Sequence, residues 1–129
     1  VIKKILFVFL LVCSGLAPVQ ASVVQNIDAP TAQKLLKDNP TVYLLDVRTP
    51  GEYAEVRLAG AHLIPIDKLL SRLGEVPKDR PLLVYCAVGS RSSQVAEYLA
   101  RQGYPAVYDL NGGIWAWQLR NFPVLKGAP

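Results

Sequence analysis

The sequence predicts an α/β domain in which a mostly parallel sheet is covered by helices on both faces. Short, unbroken apolar runs such as Thr41-Val42-Tyr43-Leu44-Leu45 and Pro81-Leu82-Leu83-Val84-Tyr85 have the composition of strands buried on both sides. Segments with helical spacing of apolar residues separate them, and the resulting β-α-β-α-β-α order calls for crossover connections between parallel strands. The length of 129 residues fits one domain, and no repeat, linker or low-complexity stretch divides it.

In chain order, Val23 to Ile27 reads as a first strand, and Asp28 as the N-cap of a helix over Ala29–Lys37. Asn39-Pro40 ends that helix. The strand at 41–45 leads through Asp46-Val47-Arg48 into a short helical turn, Pro50–Ala54. A short strand follows at Ala61–Ile64, then a short helix over Ile66–Leu73 with Ile66, Leu69, Leu70 and Leu73 on one face. The strand at 81–85 runs into Cys86-Ala87-Val88-Gly89-Ser90-Arg91. A helix from Arg91 to Gln102 is expected to bury a stripe of Val95, Tyr98, Leu99 and Gln102, with Gly103 stopping it. Ala106–Leu110 is the last strand, Gly112-Gly113 a turn, and Ile114–Leu119 a closing helix.

The first 21 residues have a different character. Lys3 and Lys4 precede nine unbroken apolar residues, Ile5 to Cys13; Ser14, Gly15 and Pro18 follow, and Val19-Gln20-Ala21 closes the segment. This is the secretory pattern of charged start, apolar middle and A-x-A-like end, with cleavage expected after Ala21. The run is too short for a permanent transmembrane helix, which needs about 20 apolar residues. Val12 before Cys13 argues against a lipid anchor. The expected mature chain is therefore 22–129, exported to an oxidising compartment, the bacterial periplasm, with no stable membrane insertion.

Composition narrows the functional classes. The formal net charge of +4 falls to +2 once Lys3 and Lys4 are set aside, and the remaining basic residues are scattered. Nucleic acid is therefore not an expected partner. One histidine and two cysteines cannot build a zinc site alone, and no Cys/His pairs stand at metal spacing. In the expected mature chain Cys86 is the sole cysteine, so no internal disulfide forms, and an unpaired thiol needs another explanation.

Its position supplies one. Ligands bind beyond the carboxyl ends of strands in open α/β sheets, and Cys86 lies there, between a strand and a helix start. Gly89 permits backbone angles that turn several N–H groups toward one point. The helix start contributes partial positive charge and Arg91 a full one, so a thiolate is expected. A buried structural cysteine would lack this loop.

Cys86-Ala87-Val88-Gly89-Ser90-Arg91-Ser92 resembles the active loop of the rhodanese-family sulfurtransferases, C-x-x-G-x-R-S. Three further stretches agree in order and spacing. They are Leu45-Asp46-Val47-Arg48 with Glu52-Tyr53, Gly60-Ala61 to Ile64-Pro65, and Leu110-Asn111-Gly112-Gly113 to Trp117. The resemblance covers nearly all of residues 23–124, and among members an exported single-domain chain most resembles the periplasmic type associated with the phage-shock response.

The resemblance implies a rhodanese-like, mostly parallel five-stranded sheet with helices on both faces. It implies that Cys86 takes a sulfane sulfur from a donor such as thiosulfate, holds it as a persulfide and passes it to cyanide or a thiol. The backbone N–H groups of Ala87, Val88, Gly89, Ser90 and Arg91 would cradle the persulfide, and Arg91 would hold an anionic substrate. No metal or organic cofactor is implied, and the acceptor can be a protein. In the turn between the glutamate and the Gly-Ala, where the family often has G-H-I, this chain has Val56-Arg57-Leu58. Arg91 is the only cation of the loop.

Asp46, Arg48 and Glu52 are expected to form an ion-paired scaffold beside the site. His62 is expected to be a surface or packed residue, Trp117 core, and Trp115 a candidate for the pocket rim. Two other readings remain on the sequence. A phosphatase or arsenate reductase would carry five residues between cysteine and arginine, whereas four stand here. A persulfide carrier or non-catalytic module would dock on a partner protein.

Overall fold

The computed structural model describes residues 14–18 and 22–129. The expected charged start, the whole apolar run Ile5 to Cys13 and the cleavage site after Ala21 lie outside the described residues. Among the described residues no helix is long and apolar enough to cross a membrane.

Strand β1 (Gln25–Ile27) leads into helix α1 (Ala29–Asp38). Asp28 caps α1 by accepting the Thr31 N–H at 2.9 Å, and Pro30 occupies its first turn, where no N–H is missed. Strand β2 (Tyr43–Asp46) is buried throughout. It is followed by α2 (Pro50–Glu55), β3 (Val56–Arg57) and β4 (His62–Leu63). Strand β5 (Leu82–Tyr85), helix α3 (Ser90–Arg101), β6 (Val107–Leu110), α4 (Gly113–Leu119) and β7 (Leu125–Lys126) complete the chain.

Five strands form one sheet in the order β1-β6-β5-β2-β4, and every neighbouring pair is parallel. The α/β reading, with a five-stranded parallel sheet and helices on both faces, therefore stands. Alternation along the central strands divides the core. Tyr43, Leu45, Leu82, Val84 and Val107 pack with Val95, Ala96 and Leu99 of α3 on one face. Leu44, Leu83, Tyr85 and Leu110 pack with Ala29 and Ala32 of α1 and Ile114 and Trp117 of α4 on the other. From β2 the chain continues to the edge at β4, and from β5 it continues the other way, to β6. The order thus reverses between β2 and β5, and open α/β sheets bind ligands beyond the carboxyl ends of the strands at such a point.

Three local expectations are corrected. Residues 66–73 do not form one helix but two 3-10 segments, Ile66–Lys68 and Leu70–Glu75. A three-residue turn places i and i+3 on one side. Leu69 is accordingly buried and Ile66 packs against the core, while Leu70 is 72% exposed. On α3 the buried stripe is Ser92, Val95, Ala96, Leu99 and Ala100; Gln102 is the exposed C-cap. Finally, Val56-Arg57 is not a plain turn. It pairs antiparallel with Leu125–Lys126, and Arg57 donates to the Gly127 carbonyl at 2.7 Å.

Candidate active site

Cys86 is the first residue after β5, at the reversal of strand order, and its side chain is fully buried. Two features bend the next residues around the sulfur. Gly89 adopts φ +108° as the N-cap of α3, a conformation that L side chains rarely take. Gly113, at φ +61°, lets the start of α4 press on the loop: a Cβ there would lie 2.4 Å from the Ala87 carbonyl oxygen and 2.5 Å from that of Cys86. This approach allows Ile114 and Trp115 to donate their N–H groups to the carbonyls of Cys86 (2.9 Å) and Ala87 (3.1 Å). With its carbonyls held from behind, the loop presents N–H groups on its other side.

The sulfur is the focus of those groups. Cys86 Sγ accepts from the N–H of Gly89 at 3.1 Å and of Ser92 at 3.3 Å, and it lies 3.5 Å from Ser92 Oγ. Burial by itself raises the thiol pKa. The Ser92 hydroxyl and the backbone N–H groups of Ser92, Gly89 and Arg91 outweigh burial and bring it below the ordinary cysteine value. A thiolate is thus favoured by hydrogen bonds converging on one atom.

At Cys86 Sγ itself the backbone hydrogen bonds come from Gly89, within the expected Ala87 to Arg91 cradle, and from Ser92, one residue beyond it. Val88 is 60% exposed, as is Trp115, whose backbone N–H is tied to the same loop.

Arg91 is not a free cation. Its Nη1 and Nη2 donate to Glu52 Oε1 and Oε2 at 2.8 and 2.9 Å, a two-pronged pair. Glu52 is itself fixed from α2. Thr49 Oγ1 accepts the Glu52 N–H and Glu52 Oε1 accepts the Thr49 N–H, both at 3.2 Å, forming a capping box. Arg91 first, aided by Thr49, holds the Glu52 carboxyl down at about 2 against the opposing effect of partial burial.

The other members of the expected scaffold form a separate pair beneath. Arg48 Nε donates to Asp46 Oδ1 at 3.0 Å and Arg48 Nη2 to Asp46 Oδ2 at 2.6 Å; both residues are buried. Arg48 also donates to the carbonyls of Val56 at 2.7 Å and Glu52 at 3.4 Å, which ties the end of β2 to α2 and β3. Its guanidinium lies 5.4 Å from the Tyr85 ring, and Tyr85 Oη accepts the Leu58 N–H at 3.2 Å. Asp46 and Arg48 therefore brace the loop's surroundings, whereas Glu52 acts directly on Arg91.

Sequence reasoning missed Ser92 and Gly113 as parts of the site. Ser92 was legible within the C-x-x-G-x-R-S run, but a serine on a helix carries no distinctive signal. His62 is exposed and stacks on Tyr43 with ring centroids 4.2 Å apart, and Trp117 is core. Among the described residues no cluster of three or more His, Cys, Asp or Glu is placed to hold a metal.

Comparison with known proteins agrees with this architecture. A family model described as a rhodanese-like domain matches residues 28–120. A sulfurtransferase from Allochromatium vinosum is 39% identical over 103 residues, which span 80% of this chain and 96% of that protein. The thiosulfate sulfurtransferase GlpE of Vibrio cholerae is 29% identical over 99 residues, 77% of this chain and 92% of that protein. Among solved structures, a rhodanese-related protein from Thermoplasma volcanium superposes with a TM-score of 0.72 at 31% identity, covering 78% of this chain and 97% of that one.

Proposed function

Because this chain belongs to the rhodanese-like family, we propose that it is a sulfurtransferase that carries sulfane sulfur on Cys86. One observation supports the reading most: Cys86 Sγ sits where strand order reverses and accepts the Gly89 and Ser92 N–H groups, with Ser92 Oγ 3.5 Å away. Such a site stabilises an anionic sulfur before transfer and an anionic persulfide after it.

In the first half-reaction the Cys86 thiolate attacks the outer sulfur of a donor such as thiosulfate. A sulfur–sulfur bond forms to Cys86 as the donor's own breaks, and sulfite departs with the electron pair. In the second, cyanide or a thiolate attacks the terminal persulfide sulfur and Cys86 leaves as thiolate. Both steps conserve charge without a general acid, which suits a loop built from N–H donors. The reading needs no metal or organic cofactor.

The acceptor side has a second form, a protein thiol. It is favoured by the exposed Val88 and Trp115 beside the loop and by the engagement of Arg91 with Glu52, which leaves the loop without an uncommitted cation for a small anion. We further place the working protein in the bacterial periplasm as residues 22–129, a phage-shock-type single-domain member, on the strength of the leader pattern. N-terminal sequencing of the envelope fraction should begin at Ser22; a lipid-modified Cys13 would reject the assignment.

The test of the chemistry is intact mass. After brief exposure to thiosulfate the mature protein should gain one sulfur atom that cyanide removes. A Cys86→Ser variant that gains the same sulfur would reject the reading.

A further inference from the structure

Four ion pairs stand among the described residues, and three of them join neighbours in sequence: Lys34–Asp38, Arg48–Asp46 and Arg72–Glu75. The fourth, Arg91–Glu52, spans 39 residues and ties α3 to α2 beyond the carboxyl ends of the paired strands β5 and β2. Its geometry is prepared from both sides. Arg91 immediately precedes Ser92, whose N–H donates to Cys86 Sγ, so its backbone belongs to the nucleophile's own loop. Glu52 is held by the capping box with Thr49, and Arg48 donates to its carbonyl at 3.4 Å. The Glu52 carboxylate meets both guanidinium nitrogens, at 2.8 and 2.9 Å, in the two-pronged arrangement that a substrate oxyanion would otherwise take.

The charges around the nucleophile therefore cancel. Asp46 offsets Arg48, Glu52 offsets Arg91, and Ala87, Val88 and Ser90 carry none. Once Cys86 is ionised, these groups together hold one negative charge in excess. A donor with two negative charges meets repulsion that no free cation of this set offsets. Coulomb energy is proportional to the donor's charge, so a monoanion is repelled half as strongly. The surroundings of the loop are also apolar: Val88 and Trp115 are both exposed, and the Trp115 N–H is tied to the Ala87 carbonyl. Covering such side chains favours a donor with a carbon skeleton over a bare oxyanion.

We propose that Glu52 is a specificity-determining residue: by occupying Arg91 it sets the site against dianionic donors and in favour of sulfane sulfur carried as a monoanion on an apolar organic body, a thiosulfonate or a persulfide. The inference rests on Cys86 being the sulfur carrier. With a thiosulfonate, R–SO2–S⁻, the Cys86 thiolate attacks the outer sulfur; the new sulfur–sulfur bond forms as the old one breaks, and a sulfinate departs with the electron pair. With a persulfide, R–S–S⁻, a thiolate departs in its place. In both cases the two negative charges of the reactants end on the Cys86 persulfide and the leaving group. Glu52 touches no reacting atom and acts through Arg91, as a positioning residue.

The probes are thiosulfate and benzenethiosulfonate, which present the same kind of outer sulfur and differ by one charge and one ring. With cyanide as acceptor, Glu52→Gln should lower KM about tenfold for thiosulfate and about threefold for benzenethiosulfonate, with kcat within about twofold for each. Both gains should shrink in about 0.5 M NaCl, because the pair is partly exposed. A purely structural role for Glu52 would move the two donors together. The wild type supplies a reading even if the variant does not fold. After division by the rate of each donor with free cysteine at the same pH, its kcat/KM should favour benzenethiosulfonate by about tenfold or more. If neither donor adds sulfur to Cys86, the sulfurtransferase reading fails and this inference with it. If both do, only the specificity is at stake. It is overturned if Glu52→Gln lowers both KM values equally, leaves them unchanged or raises that for thiosulfate, or if the corrected wild-type preference goes to thiosulfate.

Discussion

Replacing Glu52 by glutamine should weaken the fold and free Arg91 at the same time. Glutamine can take the same place in the capping box with Thr49, so the change removes charge more than shape. The Glu52 carboxyl sits at about 2 where its ordinary value is 4.5, chiefly because of the hydrogen bonds from Arg91. At about 1.36 kcal/mol per unit that corresponds to roughly 3 kcal/mol at face value. Both side chains are about one-third exposed, and solvent screening reduces this to about 1–2 kcal/mol.

The sign follows from the lowered pKa. The contribution is complete above pH 4.5, where the unfolded carboxyl is also ionised, and is lost as pH falls through 4.5 toward about 2. Urea unfolding of wild type and Glu52→Gln should therefore differ by about 1–2 kcal/mol at pH 7 and converge near pH 2. In parallel, the released Arg91 should bind small anions better, so KM for thiosulfate should fall. Equal stability at pH 7, or a difference that persists unchanged at low pH, would refute the assignment of the shift to the ion pair. A KM that rises would show that the pair shapes the site and does not compete for the anion.

Other outcomes follow from the same geometry. Cys86→Ser should abolish sulfur transfer with the circular dichroism spectrum unchanged, since serine is close to the thiol in size. Gly113→Ala should cost about 2–3 kcal/mol in denaturant unfolding and depress transfer, because its Cβ would strike the Ala87 and Cys86 carbonyls at 2.4–2.5 Å in a backbone conformation unsuited to alanine. Asp46→Asn should cost about 3–5 kcal/mol by leaving Arg48 buried beside a neutral partner. A melting temperature equal to wild type would show that water reaches that pair.

The sequence by itself determined the layers and the place of the nucleophile. Unbroken apolar runs at Val42–Leu45 and Leu82–Tyr85 are what burial on both faces of a parallel sheet requires, and Cys86 follows the second directly. The helix limits at Asp28 and Gly103 were equally legible, because capping is local chemistry. Elements of two residues, β3 and β7, were not, since pairing between positions 56 and 126 leaves no periodic trace. The Asp46–Arg48 pair was legible from its local sequence, but the partner of Arg91 was not. Arg91 in isolation is a cation beside a thiol; in the fold its guanidinium belongs to Glu52, 39 residues earlier, because α2 and α3 follow the carboxyl ends of the neighbouring strands β2 and β5. What activates the sulfur was decided there as well. The Ser92 side chain, the Gly89 and Ser92 N–H groups and the pressure of Gly113 on the loop meet at Cys86 only when the ends of β5 and β6 are brought side by side.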